Sequence, residues 1–130
     1  MNSDSLVKPG LHINIEQVQP MRLKGSFTAQ SQDMLGLVGR SGAGKTSILR
    51  ILAGLMRPEK GFITVDGKVW LDTAKGIYLP PQKRRVGLVF QDYALMPHLS
   101  ALDNVLLALL DQPKAQARQK ALEWLNRVHL

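Results

Sequence analysis

A chain of 130 residues has room for one domain, and 45% hydrophobic with 21% charged residues is close to the globular average, which excludes wholesale disorder. The absence of cysteine excludes a disulfide scaffold, a thiolate metal site and a cysteine nucleophile, and the longest apolar run, Val105 to Leu110, is far short of the roughly 20 residues a membrane-spanning helix needs. Seventeen Lys and Arg against ten Asp and Glu give a formal charge of +7, but the only basic cluster, Lys83-Arg84-Arg85, has no interleaved aromatic, so no nucleic-acid partner is expected and a solvated patch is.

Residues 1–10 are polar, lack the apolar core of a signal peptide and read as a frayed leader. Leu11, Ile13 and Ile15 alternate with polar residues, the period of a half-buried strand. Met21, Leu23, Phe27 and Ala29 predict a second strand, with Gly25 as a candidate bulge. Met34 to Val38 is a short apolar run of the kind that fits a strand buried on both faces. Ile48, Leu49, Ile51, Leu52, Leu55 and Met56 then recur at helical spacing, and Pro58 is expected to end that helix. Phe62 to Val65 and Lys68 to Leu71 flank Asp66-Gly67, a strong two-residue hairpin signal. Ala74 to Arg85 reads as a loop, Val86 to Phe90 as another apolar strand and Tyr93 to His98 as a loop. Ser100 is positioned to cap a helix from Ala101 to Leu110. Pro113 opens a last helix with Ala121, Leu122, Leu125 and Val128 on one face.

Chemistry concentrates in Gly39-Arg40-Ser41-Gly42-Ala43-Gly44-Lys45-Thr46, which fits G-x-x-x-x-G-K-[ST] between a predicted strand and a predicted helix. The glycines let successive backbone N–H groups curl inward toward phosphate oxygens, and the helix N-terminus adds positive partial charge. Lys45 brings a mobile cation to the β- and γ-phosphates, the Thr46 hydroxyl can ligate Mg²⁺, and Ser47 is placed for the α-phosphate. The motif indicates a nucleotide without choosing among kinases, GTPases, helicases and transporter motors.

The string Arg85 to Ser100, with Gln91 directly after an apolar run, resembles the Q-loop region of ABC transporter ATP-binding subunits, bacterial importers especially. The phosphate loop, the helix to Pro58 and the Gly61-to-Gly67 stretch match that family in the same order, and Pro80-Pro81-Gln82-Lys83-Arg84-Arg85 is most similar to its molybdate-importer branch. The resemblance implies an α/β P-loop NTPase core with an antiparallel β-subdomain and the start of a helical subdomain, incomplete here. It places the β-subdomain and core in residues 11–99 and the helical start in residues 100–130.

It further implies ATP and Mg²⁺ as ligands. Gly39, Ser41, Gly42, Ala43, Gly44, Lys45, Thr46 and Ser47 would hold the nucleotide, and Gln91 would contact Mg²⁺ or the attacking water alongside Lys45. The implied partners are a membrane-spanning permease subunit at Tyr93 to His98 and a second ATPase subunit, on the cytoplasmic face of the inner membrane. Two departures stand out. No aromatic precedes Phe27 to stack the base, and the chain contains no L-S-G-G-Q, Walker B aspartate, catalytic glutamate or switch histidine, since His98 and His129 match none of those motifs. The sequence therefore reads as an N-terminal part that binds nucleotide and hydrolyses little alone. A soluble P-loop kinase or NTPase and a noncatalytic nucleotide-binding fragment remain the alternatives.

Overall fold

A computed structural model of the chain describes residues 9–130. The expected leader falls outside them except for Pro9 and Gly10. The described residues form two compact units, divided between Leu88 and Val89.

The first unit is built on a five-stranded antiparallel sheet of order β2-β1-β3-β4-β5. Alternation along β1 (Leu11–Gln17) buries Ile13, Ile15 and Gln17 and leaves Asn14 and Glu16 exposed. Its neighbour β2 (Leu23–Ala29) pairs with it in unbroken register, Ile15 opposite Gly25. The expected bulge at Gly25 is therefore absent. The register shift lies instead between Ile63 and Thr64, where β3 (Lys60–Val65) meets β4 (Lys68–Asp72). Asp66 and Gly67 make the two-residue turn of that hairpin, both at positive φ (47° and 81°), as the sequence signal requires. The segment expected as a plain loop holds a short strand, β5 (Ile77–Tyr78), and a 3₁₀ turn, Pro81–Lys83.

One helix, α1 (Lys45–Ala53), packs on this sheet. Ile51 joins Ile13, Ile15, Leu23, Ile63 and Leu71 in a single apolar core. Pro58 does not end the helix; Gly54 does. It adopts φ 79°, its N–H reaches Ile51 O at 3.1 Å and the N–H of Leu55 reaches Arg50 O at 2.8 Å. That pair of bonds closes a helix wherever a left-handed residue is available at its end. Gln17 is buried, and its side-chain amide nitrogen has no partner among the described residues.

The two apolar runs expected as strands are not strands. Residues 34–38 and 86–90 join no ladder among the described residues. Met34 is fully exposed and Val89 is 87% exposed. An apolar run specifies that it is to be covered but not by what, and strand geometry needs a paired neighbour.

The second unit contains α2 (Ala101–Leu107) and α3 (Lys114–Arg127), which pack on each other. Ser100 caps α2 as expected, its hydroxyl accepting from the N–H of Asp103 at 3.1 Å. The helix stops at Leu107, three residues before the expected Leu110, and a series of turns follows. On α3 the buried stripe is Ala117, Ala121 and Leu125. Leu122 is exposed and Val128 lies past the helix end, so the expected face is shifted. Ala117, Ala121 and Leu125 are spaced by four and so lie on one face of the helix.

Candidate functional site

The glycine-rich loop leads into α1 through Gly44, whose φ of 95° is open to glycine at little steric cost. A Cβ there would stand 2.8 Å from Leu23 Cδ1, so the turn is pressed against β2 as well as left-handed. No side chain caps the helix, and its first turn carries no acidic residue. The N–H groups of Lys45, Thr46 and Ser47 thus have no intrahelical acceptor and face outward at the positive end of the helix dipole. This is the geometry that receives an anion.

Lys45 closes the loop from within. Its ammonium donates to Gly39 O at 2.7 Å and to Arg40 O at 2.8 Å, while the N–H of Ala43 donates to Arg40 O at 3.1 Å. The loop is thereby curled around its own cation, at an exposed position where the ammonium can exchange carbonyls for phosphate oxygens. Residues 39–44 run as an irregular loop, exposed up to Ala43 and buried at Gly44, into the first turn of α1, which holds Lys45, Thr46 and Ser47. Thr46 is exposed and lines, with Lys45 and Leu49, an open cleft of about 540 Å³ beside the helix. Ser47 turns the other way, its hydroxyl donating to Met21 Sδ at 3.7 Å.

Gln91 belongs to the second unit. It does not end a strand, as the sequence implied, but is exposed in a turn closed by the N–H of Tyr93 on Phe90 O at 3.1 Å. Tyr93 and Ala94 follow with φ of 62° and 48°, two consecutive left-handed residues without glycine. Such strain persists only where surrounding contacts over-determine it. The expected loop is indeed apolar and exposed: Tyr93, Leu95 and Met96 all present large surface. Asn104 of α2 pins it from behind, accepting from the N–H of Met96 at 2.8 Å and donating to Met96 O, Leu99 O and Ser100 O at 3.2, 3.2 and 3.0 Å. His98 and His129 are both exposed.

Arg84 was missed by the sequence reading, which placed it in a solvated patch. It is 5% exposed. Its guanidinium donates to Ile51 O at 2.8 Å, Leu52 O at 2.9 Å and Leu79 O at 2.7 Å, gathering the C-terminus of α1 onto the segment after β5. Tyr78 assists, donating its hydroxyl to Gly54 O and stacking under Arg57 at 3.8 Å. Burial pushes the Arg84 guanidinium below its ordinary pKa, and Tyr78 partly opposes the shift. Nothing local separates Arg84 from Lys83 and Arg85; two of its acceptors, Ile51 O and Leu52 O, are more than thirty residues away.

Comparison with known proteins is consistent with this geometry. The family described as ABC transporter matches residues 24–130. The chain is 46% identical over 102 residues to the molybdenum import ATP-binding protein ModC of Rhodospirillum rubrum, covering 78% of this chain and 27% of that protein. It is 49% identical over 83 residues to the protein of the same name from Paramagnetospirillum magneticum, covering 64% and 23% respectively. The chain thus spans about a quarter of the length of these curated relatives. Among solved structures it is similar to the ATP-binding cassette MJ0796 in a dimeric post-hydrolysis state bound to ADP and Pi. The TM-score is 0.61 at 27% identity, covering 92% of this chain and 57% of that one. The antiparallel sheet and helices are therefore an incomplete α/β P-loop NTPase core, as the sequence implied.

Proposed function

The chain belongs to the ABC transporter family, and on that premise we propose that it forms the phosphate-binding part of an ATP-binding subunit that drives import of molybdate or another oxyanion. The observation that carries the reading is the uncapped first turn of α1 beneath a loop curled on Lys45. In this reading Gly39, Ser41, Gly42, Ala43 and Gly44 wrap the phosphates. Lys45 leaves its loop carbonyls for the β- and γ-phosphate oxygens, and Ser47 meets the α-phosphate. Mg²⁺, which binds mainly through nucleotide oxygens and water, neutralises phosphate charge when bound. Thr46, exposed in the first turn of α1, is the residue assigned to it here, and Gln91 is given a metal or water contact by the family resemblance alone.

The apolar loop Tyr93 to His98 is assigned to a membrane-spanning permease subunit. Its exposure supports the assignment, since monomeric soluble proteins rarely present contiguous apolar surface without a use. The subunit would work at the cytoplasmic face of the inner membrane with a second ATPase subunit. Among the described residues no helix is long and apolar enough to cross a membrane. The solute class is taken from the names of the relatives. Residues 1–130 contain no L-S-G-G-Q run, so binding rather than turnover is assigned to them.

Equilibrium titration with labelled MgATP tests the site. Lys45→Ala is expected to weaken binding by at least about a hundredfold, as loss of charge-assisted bonds to two phosphates implies. Equal dissociation constants for the two proteins would refute it.

A further inference from the structure

We infer that Arg84 is a positioning residue for phosphate binding: by fixing the far end of α1 it sets the aim of the backbone donors at the helix start. The inference rests on the phosphate assignment above and deepens it.

Burial along α1 is lopsided. Ile51 and Ala53, near its C-terminus, are buried, whereas Lys45 to Arg50 are half-buried or exposed. The start of the helix rests on the β2 edge of the sheet, where a Cβ on Gly44 would stand 2.8 Å from Leu23 Cδ1. That bearing is an apolar contact, which limits approach but gives no direction.

The directional contacts lie at the other end. Arg84 Nε donates to Leu79 O at 2.7 Å, one terminal nitrogen to Ile51 O and Leu52 O at 2.8 and 2.9 Å, and the other to Trp70 O at 3.4 Å. One planar group thus ties the end of α1 to β4 and to the segment after β5, on the side of the sheet away from β2. Its own placement is fixed as well. The Arg84 N–H donates to Pro81 O at 3.0 Å, and the guanidinium lies 5.6 Å from the Trp70 ring and 5.2 Å from the Tyr78 ring. A rigid fork of donors defines both a position and a plane, which a point charge does not.

The helix converts that anchor into aim. From Leu52 back to Lys45 it rises about 10 Å, so a tilt of about 6° at the anchored end moves the first-turn N–H groups by about 1 Å. Hydrogen-bond distances to oxygen span only about 0.5 Å. A shift of that size takes a donor out of range of a phosphate oxygen, and a site held 1 Å too loosely by its supports binds poorly.

The test is calorimetric titration of the full chain with MgATP and with Mg-tripolyphosphate, at a temperature where circular dichroism shows each protein folded. Arg84→Ala is expected to weaken both probes by about tenfold, matching the loss of one charge-assisted hydrogen bond. Arg84→Lys keeps the charge and the fold but not the fork, and is expected to weaken both by about fivefold. It decides the matter alone where Arg84→Ala does not fold. Gly67→Ala is the control: Gly67 sits at φ 81° in the β3–β4 turn, whose bonds run to Gly10, so the substitution lowers stability without touching α1. Its affinities are expected to stay within about twofold of wild type. Amide spectra of the free proteins are expected to show shifts at Thr46 and Ser47 in Arg84→Lys and none there in Gly67→Ala. Wild-type affinity and unshifted amides in Arg84→Lys would overturn the inference. An equal loss in Gly67→Ala would also overturn it, by reducing Arg84 to a source of stability. Failure of wild type to bind either probe would refute the phosphate reading itself, and this inference with it.

Discussion

Arg84 and Ile51, 33 residues apart, are joined by a 2.8 Å hydrogen bond from the guanidinium to the main-chain carbonyl. Ile51 is otherwise a core residue, and its carbonyl, in the last turn of the helix, also accepts from the N–H of Gly54. A cation is the favoured partner there, since the dipole makes that end negative. The helix that begins at the glycine-rich loop is thus anchored at its other end by a side chain from a different part of the chain.

Removing that anchor takes a donor from Ile51 O, Leu52 O and Leu79 O in a water-poor site. Arg84→Ala is expected to destabilise the first unit by about 3 kcal/mol. Arg84→Lys should recover less than about half of this, because an ammonium cannot reproduce the planar fork. Urea unfolding followed by Trp70 fluorescence, with Trp124 replaced by Phe, measures both. Unchanged midpoints would show that the Arg84 bonds carry no net stability.

Gly54 lies under the same guanidinium, and a Cβ there would come within 3.0 Å of Arg84 Nε at a φ of 79°. Gly54→Ala is expected to cost about 1–2 kcal/mol from the left-handed backbone alone, plus displacement of Arg84. In a double-mutant cycle with Arg84→Ala, that second part should vanish. Strict additivity would mean that the two residues do not act on each other.

What could be read in advance followed from local periodicity. The alternation of Ile13 and Ile15, the Asp66-Gly67 turn and the change to helical spacing after Gly44 each describe a few neighbouring residues, and each formed as expected. The Ser100 cap is of the same kind. What could not be read depends on partners far along the chain. Met34 to Val38 and Val86 to Phe90 carry strand-like composition, but pairing is a property of two segments. Arg84 and Met21 likewise owe their places to Ile51 and Ser47, which no local pattern connects to them. The helix end moved from Pro58 to Gly54 because a left-handed glycine terminates a helix before a downstream proline can.

The apolar loop after Gln91 depends on Asn104, whose side chain bonds both main-chain groups of Met96. Asn104→Ala should speed amide exchange at Met96 by about tenfold, matching loss of roughly one net hydrogen bond. Exchange unchanged at Met96 would show that the loop is held by other contacts.

Two substitutions probe coupling in a reconstituted transporter. Met96→Asp places a charge on the exposed apolar surface and is expected to weaken assembly with the permease subunit about tenfold or more. If Gln91 has the proposed role, Gln91→Ala is expected to lower transport-coupled hydrolysis about tenfold or more. Normal pull-down of the Met96 variant would remove the docking assignment. Unchanged coupled turnover of the Gln91 variant would remove its role at the site.

The central claim is that backbone N–H groups at the start of α1 hold phosphate. Amide NMR spectra recorded during titration with MgATP test it most directly. Saturable shifts are expected at Gly42 and Gly44 in the loop and at Lys45, Thr46 and Ser47, where the helix leaves its donors uncapped, with their loss in Lys45→Ala. Saturation with no change at these amides, or with shifts confined to other segments, would contradict it.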